Sequence, residues 1–181
     1  GNFSGELDLE TILSLDTDLI LAAEISAPEQ IKSLEDLGIP VYQFKNPTDL
    51  DSMAAYFAEF GEVLDEEETM AAAAEDFAAR LDAVQKTLKD VKPVRVFYEI
   101  DASDPASPWT TGAGTFIDNI ITLAGGTNIA ASQEGDWIQV SVEFLLESEP
   151  MAIFLADANY GVTAESVEER EGWGKIAAVA S

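Results

Sequence analysis

The sequence contains neither cysteine nor histidine. Without cysteine there is no disulfide, no thiolate nucleophile and no cysteine-ligated metal. Without histidine, the Ser-His-Asp arrangement, the usual zinc sites and the side chain that most often exchanges protons near neutral pH are excluded as well. A hydrolase or nucleotide enzyme would have to work without its common parts, and no nucleophile elbow is present. We therefore predict a protein that is not an enzyme.

Basic residues are also scarce. Nine Lys and Arg stand against 35 Asp and Glu, which gives a formal net charge of −26. A surface that neutralises nucleic-acid phosphates or anionic lipid headgroups is hard to build from so few cations, so we expect no nucleic-acid partner. The 181 residues are 47% hydrophobic, which is enough for one sizeable core or two small ones.

What the sequence does contain is a repeat. The segment ETILSLDTDLILAAE at 10–24 aligns without a gap with EFLLESEPMAIFLAD at 143–157. In this alignment Glu10 is equivalent to Glu143, and Ile20 is equivalent to Ile153. Two matching segments predict two matching halves.

Both halves alternate between helical and strand-like segments. In the first half we predict a helix at 7–15 capped by Asp8, a strand at 19–23, a helix from Pro28, a strand at 39–44 and a helix capped by Thr48 or Asp49. In the second half we predict a strand at 94–100, a Pro/Gly/Ser loop at 101–114, a helix from 115 and then the second copy of the repeat. Such alternation favours parallel sheets covered by helices.

Residues 64–91 separate the halves and contain no glycine or proline. Their apolar residues fall on one stripe, which predicts a single helix of roughly 40 Å; a coiled-coil partner helix is the alternative. We therefore predict an α/β fold of two small α/β lobes with parallel sheets joined by one long α-helix. The predicted boundaries are 1–63, 64–91 and 92–181.

Two motifs have weak functional interpretations. TGAGTFI resembles a dinucleotide loop, but Ile117 stands where the third glycine is needed, and a glycine-rich helix start is common. DANYG with Glu168 resembles a calcium loop but has Gly161 and Val162 where a ligand and a glycine are expected. We predict neither a nucleotide site nor a metal site.

The tryptophans are more informative. Trp109 lies in the Pro/Gly-rich loop and Trp137 lies in EGDWIQV, both in polar surroundings. Ligand contact and local packing both remain open for these two side chains, because small-molecule clefts are lined with aromatic residues. Trp173 is expected to pack a late helix against the sheet.

Glu10 and Glu143 also have two interpretations. A glutamate early in a helix is favoured by the helix dipole and needs no partner. Their equivalence in the repeat suggests instead a two-fold symmetric partner that carries basic residues.

The order of several segments resembles a known family. DLETILSLDTDLILA, IKSLEDLGIPVYQF, the long Ala-rich helix, RVFYEID, WTTGAGTFIDNIITLAGGTNIA, WIQVSVEFLLESEPMAIFLAD and REGWGKIAAV are similar to the class III substrate-binding proteins of ABC importers. These proteins bind cobalamin, haem or ferric siderophores, and the cobalamin-binding members are the most similar.

The resemblance implies an extracytoplasmic binding protein, periplasmic or lipid-anchored, that holds a large chelate or corrinoid between two lobes and has no resident cofactor. It implies that Phe3, Trp109 and Trp137 contact the ligand, a metal chelate such as cobalamin, haem or a ferric siderophore. It further implies that Glu10 and Glu143 dock onto arginines of the dimeric ABC permease.

Family members extend beyond the points that match both ends of this sequence. We therefore expect that the sequence is a piece of a longer protein, that the gene product is short, or that another copy supplies the missing strands. The last option predicts a homo-oligomer formed through unpaired or swapped strands. It also gives the alternative function, a non-transport interaction or oligomerisation module on the same fold.

Overall fold

The computed structural model describes residues 7–180, and backbone contacts divide the chain into two compact units between Pro47 and Thr48. The helices are α1 Leu9–Ser14, α2 Pro28–Glu35, α3 Leu50–Leu64, α4 Glu67–Leu88, α5 Phe116–Leu123, α6 Val142–Ser148, α7 Ala164–Glu168 and α8 Ala177–Ala180. The strands are β1 Ile20–Ala23, β2 Val41–Phe44, β3 Val94–Glu99, β4 Trp109–Thr111, β5 Gly126–Asn128, β6 Trp137–Gln139 and β7 Ala152–Leu155. Short 3₁₀ segments span Ile129–Ser132, Ala156–Tyr160 and Trp173–Lys175.

The first unit contains a parallel pair of strands, β1 and β2, connected by α2. Ile20 lies opposite Val41 at the start of the pair. Proline at the first position of α2 fits its fixed φ, and Leu34 of this helix is buried. The predicted strand, helix and strand are confirmed here, with boundaries one or two residues inside the predicted ones.

The second unit begins with two consecutive helices, α3 and α4. Asp65 separates them in the left-handed conformation with φ 55°, and a Cβ atom at Gly61 would lie 3.1 Å from the Cα of Glu67. The rings of Phe57 and Phe77 meet with centroids 5.5 Å apart. The long helix is confirmed, but it spans 22 residues, or about 33 Å, because the left-handed residue delays its start. The division at 1–63, 64–91 and 92–181 stays a prediction.

A three-stranded parallel sheet, ordered β5-β3-β7, follows in the second unit. Phe97 on the central strand is fully buried, and its ring lies 6.3 Å from that of Trp173 in an edge-to-face arrangement. Leu145 of α6 and Val167 of α7 belong to the same cluster. The prediction that Trp173 packs a late element against the sheet is confirmed, and so is the α/β class with parallel sheets.

The two copies of the repeat adopt the same local structure. Each is a short helix, a turn and a strand: α1 with β1, and α6 with β7. The helices are capped by Asp8 and Ser141, which are equivalent in the alignment. Each turn contains a left-handed residue at the equivalent position, Asp16 with φ 52° and Glu149 with φ 45°. The prediction of matching segments is therefore confirmed at the level of the backbone.

Candidate functional site

The two candidate tryptophans lie on paired strands rather than in loops. Trp109 begins β4 and Trp137 begins β6, and these strands form an antiparallel ribbon in which Trp109 pairs with Gln139 and Thr111 pairs with Trp137. The loop prediction for Trp109 was wrong, because a strand of three residues inside a Pro/Gly-rich stretch leaves no periodic signal. Only its partner strand, almost thirty residues later, defines it.

This register places both indoles on one face of the ribbon. Residues directly opposite each other share a face, and so do residues two apart on one strand. Trp109 and Trp137 are therefore diagonal neighbours, at about 7–8 Å between backbones, within reach of each other's rings. Their exposed fractions are 40% for Trp109 and 56% for Trp137. The structure thus brings the two predicted ligand contacts together on a half-exposed aromatic surface, which we call the tryptophan ribbon.

The tryptophan ribbon is fixed to the carboxyl end of β3. The Trp109 N–H donates to the Asp101 carbonyl at 2.8 Å, and the Ile100 N–H donates to the Trp109 carbonyl at 2.9 Å. The Gln139 side chain donates to the Ser107 carbonyl at 3.0 Å. Ligands of open α/β sheets bind beyond the carboxyl ends of the strands, so the indoles lie at the edge where a site is expected.

Further hydrogen bonds and one close backbone contact hold the tryptophan ribbon in place. The Gly112 N–H donates to the Asp136 carbonyl at 2.8 Å, and a Cβ atom at Gly112 would clash with the carbonyl oxygen of Gly135. The Asn128 amide donates to the Thr111 carbonyl at 3.0 Å, which ties β4 to the end of β5. These contacts give the tryptophan ribbon a defined position within the second unit.

The same contacts explain the glycine-rich segment. The Gly112 N–H has a carbonyl acceptor, and the Gly114 N–H donates to the Asp118 carboxylate at 3.0 Å. Thr115 caps α5 by accepting from the Asp118 N–H. A phosphate would have to displace these acceptors and approach a carboxylate, so the segment serves the ribbon and the helix cap.

A buried ion pair at the same edge of the sheet was missed by the sequence analysis. Arg170 donates to both carboxylate oxygens of Glu99, at 2.6 and 2.9 Å, and both side chains are more than nine-tenths buried. The Arg170 guanidinium also lies 4.5 Å from the ring centroid of Trp173, whose indole N–H donates to the Pro105 carbonyl. The partners are 71 residues apart in sequence, so no local pattern could pair them.

A second carboxylate completes this buried cluster. Asp157 is buried, and one of its carboxylate oxygens has no hydrogen-bond partner. Burial raises the pKa of Glu99 above its ordinary value, and the Asp157 charge adds to this rise, although Arg170 opposes it. Arg170 is therefore paired with Glu99, and Asp157 lies beside this pair as a second buried carboxylate.

The weak calcium motif overlaps this cluster. Asp157 is buried beside Glu99, whereas Tyr160 is 90% exposed at the same edge of the sheet. No group of three or more acidic side chains among residues 7–180 is arranged to hold a metal ion. Tyr160 is thus a further exposed aromatic residue that the sequence analysis considered only as part of a metal loop.

Glu10 and Glu143 occupy the same position in their helices. Each is the exposed second residue of its helix, α1 or α6, two residues after the capping residue. Their roles in docking stay a prediction, as do the ligand contacts of Trp109 and Trp137. Phe3 lies outside the described residues.

Residues 7–180 also include no helix with both the length and the apolar character that a membrane span requires.

Comparison with known proteins gives a consistent result. A family model described as periplasmic binding protein matches residues 2–181. The chain is 31% identical over 179 residues to an uncharacterized ABC transporter substrate-binding lipoprotein, YvrC, of Bacillus subtilis (strain 168), covering 96% of this chain and 55% of the relative. It is 30% identical over 152 residues to the vitamin B12-binding protein of Vibrio cholerae (strain ATCC 39541), covering 83% of this chain and 54% of the relative.

A solved structure from Staphylococcus epidermidis ATCC 12228 agrees. It is described as a possible iron-binding (periplasmic solute-binding) protein, with 25% identity, a TM-score of 0.79 and coverage of 96% of this chain and 68% of that one. The chain spans about half the length of the two curated relatives named above. From the family match, together with an α/β fold built around parallel sheets and a long helix, we conclude that this chain belongs to the periplasmic binding protein family of ABC-importer substrate-binding proteins, a family of transport proteins and not of enzymes.

Proposed function

We propose that the protein carrying this sequence is the extracytoplasmic substrate-binding component of an ABC importer and captures cobalamin, haem or a ferric siderophore. Family membership supports this proposal, and the relatives are named as a substrate-binding lipoprotein, a vitamin B12-binding protein and a possible iron-binding protein. The protein works outside the cytoplasm, in a periplasm or anchored by lipid. It has no resident cofactor, so any metal arrives inside the ligand.

The tryptophan ribbon carries the proposal. Two half-exposed indoles on one face offer aromatic surface on which a corrinoid or porphyrin ring could stack. Aromatic stacking adds about 0.5–1.5 kcal/mol per ring pair beyond the area that is buried. Phe3 is proposed as a third aromatic contact.

A ligand panel tests the proposal. Cobalamin, cobinamide, haem and ferric siderophores are titrated by calorimetry, and the quenching of tryptophan fluorescence is followed with correction for inner-filter absorption. One compound should bind saturably at micromolar concentration or below, and Trp137→Ala should weaken it at least tenfold. Leu64→Ala is the matched control, because Leu64 is 44% exposed and lies outside the ribbon. Binding that is indifferent to Trp109→Ala and Trp137→Ala would contradict the role of the ribbon.

Docking on the permease is proposed to use Glu10 and Glu143. Both carboxylates are exposed at equivalent positions of the repeat, where a symmetric partner with arginines would form charge-assisted hydrogen bonds. Glu143→Ala should leave ligand affinity intact and weaken binding to permease-containing vesicles. Glu147→Ala, one turn further along α6 and also exposed, should change neither. Unchanged transport by the Glu143→Ala protein would contradict the proposed docking role.

The second candidate function is a non-transport interaction or oligomerisation module, in which copies of the chain associate with each other. It is favoured by the outer strands β5 and β7, each of which pairs on one side only among the described residues. Light scattering coupled to size-exclusion chromatography distinguishes the candidates. A stable oligomer that binds no compound of the panel would favour the module, whereas a monomer that binds one would favour transport.

A further inference from the structure

The loop of residues 101–108 connects β3 to β4 and therefore leads directly into Trp109 of the tryptophan ribbon. An antiparallel bridge between Asp101 and Trp109 closes the loop at its base. Residues 103–106 are exposed, so burial does not fix the middle of the loop. Because a loop of this length has many conformations of similar energy, the position of β4 depends on the contacts that hold the loop.

Among residues 7–180, one hydrogen bond attaches this loop to an element outside the tryptophan ribbon. The Gln139 side chain and the Val140 N–H also donate to loop carbonyls, but these donors lie in β6 or directly after it. The more distant donor is the indole N–H of Trp173, which donates to the Pro105 carbonyl at 2.9 Å. Trp173 therefore holds the exposed middle of the loop from the core of the unit.

Trp173 is itself fixed beside the end of β3. Its side chain is fully buried, and its ring meets that of Phe97 in an edge-to-face arrangement at 6.3 Å. The Arg170 guanidinium lies 4.5 Å from the centroid of the Trp173 ring. Arg170 in turn pairs with both carboxylate oxygens of Glu99, the last residue of β3. These contacts set the orientation of the indole, so its N–H is directed at the loop.

The turn at residues 170–173 brings Arg170 and Trp173 together. The Trp173 N–H donates to the Arg170 carbonyl at 3.2 Å, and Gly172 between them has φ 84°. This left-handed conformation favours glycine, and a Cβ atom at Gly172 would lie 3.2 Å from Cγ1 of Val142 in α6. One turn thus directs two side chains to the same edge of the sheet, one to the end of the strand and one to the loop.

We infer that Trp173 is a positioning residue for the tryptophan ribbon: its indole N–H holds the loop at Pro105, and the buried pair of Arg170 and Glu99 holds the indole. Trp173 is fully buried, so it acts on Trp109 through the loop and does not contact the ligand. A site that is already in its bound arrangement has less freedom to lose on binding, so ligand affinity depends on this hold. The effect on affinity rests on the proposed function, whereas the hold on the ribbon is measured without a ligand.

Amide hydrogen exchange of the protein without ligand tests the hold. Two amides are compared, that of Trp109, which donates to the Asp101 carbonyl, and that of Met151, which donates to the Arg95 carbonyl at the other end of the sheet. Trp173→Phe keeps an aromatic ring in the core and removes the indole N–H. We expect the ratio of Trp109 protection to Met151 protection to fall by about tenfold or more, because local opening of the loop exposes only the first amide.

Val167→Ala is the matched control. Val167 is buried in the same cluster as Trp173, and its side chain makes no hydrogen bond, so the variant lowers overall stability and should leave the ratio within about twofold. If Trp173 contributed packing alone, both variants would change the ratio alike, and that result would overturn the inference. Far-ultraviolet circular dichroism confirms that each variant is folded.

Arg170→Lys gives a second test that leaves Trp173 in place. The substitution keeps the positive charge but loses the planar, two-pronged pairing with Glu99 and the stacking on the indole. The exchange ratio should therefore fall in the same direction as in Trp173→Phe. An unchanged ratio would overturn the role assigned to the buried pair.

Ligand affinity is the last readout. For a compound of the panel that binds, Trp173→Phe should weaken the affinity by about threefold or more, whereas Val167→Ala should not. Unchanged affinity together with a lowered exchange ratio would overturn the link between the loop and the ligand. If no compound of the panel binds, the proposed function fails, and the exchange ratio alone still supports or overturns the hold of Trp173 on the ribbon.

Discussion

The two copies of the repeat share a backbone but differ in what surrounds them. Helix α1 has no buried residue, whereas α6 buries Leu145 completely against Phe97 and Trp173. The position of the capping residue and the left-handed turn are nevertheless equivalent in both copies, and the helices have six and seven residues. Caps and turns are therefore set by residues close in sequence, whereas burial is set by the rest of the unit.

The largest difference in stability between substitutions in the two units should come from removing a buried charge. Arg170→Ala leaves the buried Glu99 carboxylate without its cation and beside the buried Asp157, so it should lower the free energy of unfolding by about 3–5 kcal/mol. In the first unit, Lys32→Ala removes an exposed pair with Asp36 at 2.8 Å and should cost less than about 0.5 kcal/mol. Urea unfolding followed by far-ultraviolet circular dichroism measures both.

A double substitution sharpens this result. Glu99→Leu with Arg170→Met removes both charges and keeps the volume, so most of the lost stability should return. If Arg170→Ala and Lys32→Ala cost the same, Arg170 is not essential to the buried cluster.

The next largest effect compares equivalent apolar residues of the repeat. Leu145→Ala should cost about 2–5 kcal/mol, because it leaves a cavity in a closed core. Ile12, which aligns with Leu145, is only half-buried, so Ile12→Ala should cost clearly less. The same urea experiment compares them. Equal losses would mean that the first unit encloses α1 as tightly as the second encloses α6.

A smaller effect on stability should have the same sign in both copies. Asp16 and Glu149 have positive φ, which is strained for residues with a side chain, so Asp16→Gly and Glu149→Gly should each stabilise the protein by about 0.5–1 kcal/mol. The gain at Glu149 should be the smaller one, because its exposed pair with Arg95 is lost. Glu147→Gly inside α6 is the control and should destabilise by about 1 kcal/mol. A loss of stability in either turn variant would contradict the shared backbone.

The smallest predicted effect is a difference in pH dependence between the cap of α1 and the cap of α6. Hydrogen bonds from the Thr11 N–H and hydroxyl lower the pKa of Asp8 below its ordinary value. The folded-state pKa is the lower one, so the contribution of this cap is present above the ordinary pKa and is lost as the pH falls through the lowered one. The Ser141 cap of α6 has no such titration.

Amide hydrogen exchange measures this difference. Protection of the Thr11 amide should fall on acidification, and protection of the Phe144 amide should not follow it. Asp8→Ser should remove the pH dependence at Thr11. A Thr11 amide with the same protection above and below the lowered pKa would show that the Asp8 carboxylate does not stabilise α1.

The sequence predicted the elements whose signals are local. Pro28, Asp49 and Thr115 mark helix starts, and the structure places helices there. The strand at 94–100 is rich in β-branched and aromatic residues and is confirmed as β3, Val94–Glu99. The end of the long helix was placed too late, because helix ends depend on a few turn residues rather than on the stripe.

The candidate site was predicted only in part. Trp109 and Trp137 could be named as candidates from the polar segments around them and from the family resemblance. Their shared ribbon, however, depends on a register between distant strands. The buried pair of Glu99 and Arg170 depends on a contact across 71 residues and leaves no motif. No local pattern distinguishes the buried Val96 and Phe97 from Val91 and Val94, which the structure leaves exposed.

By itself the sequence determined the local backbone, the family and the absence of cysteine and histidine chemistry. These follow from residue types, periodicity and short-range hydrogen bonds, which act over one or two turns of chain. Only the tertiary structure decided which apolar residues are buried and which charges are paired. The physical reason is that burial and pairing depend on elements brought together from distant parts of the chain, so equivalent segments such as α1 and α6 have different surroundings.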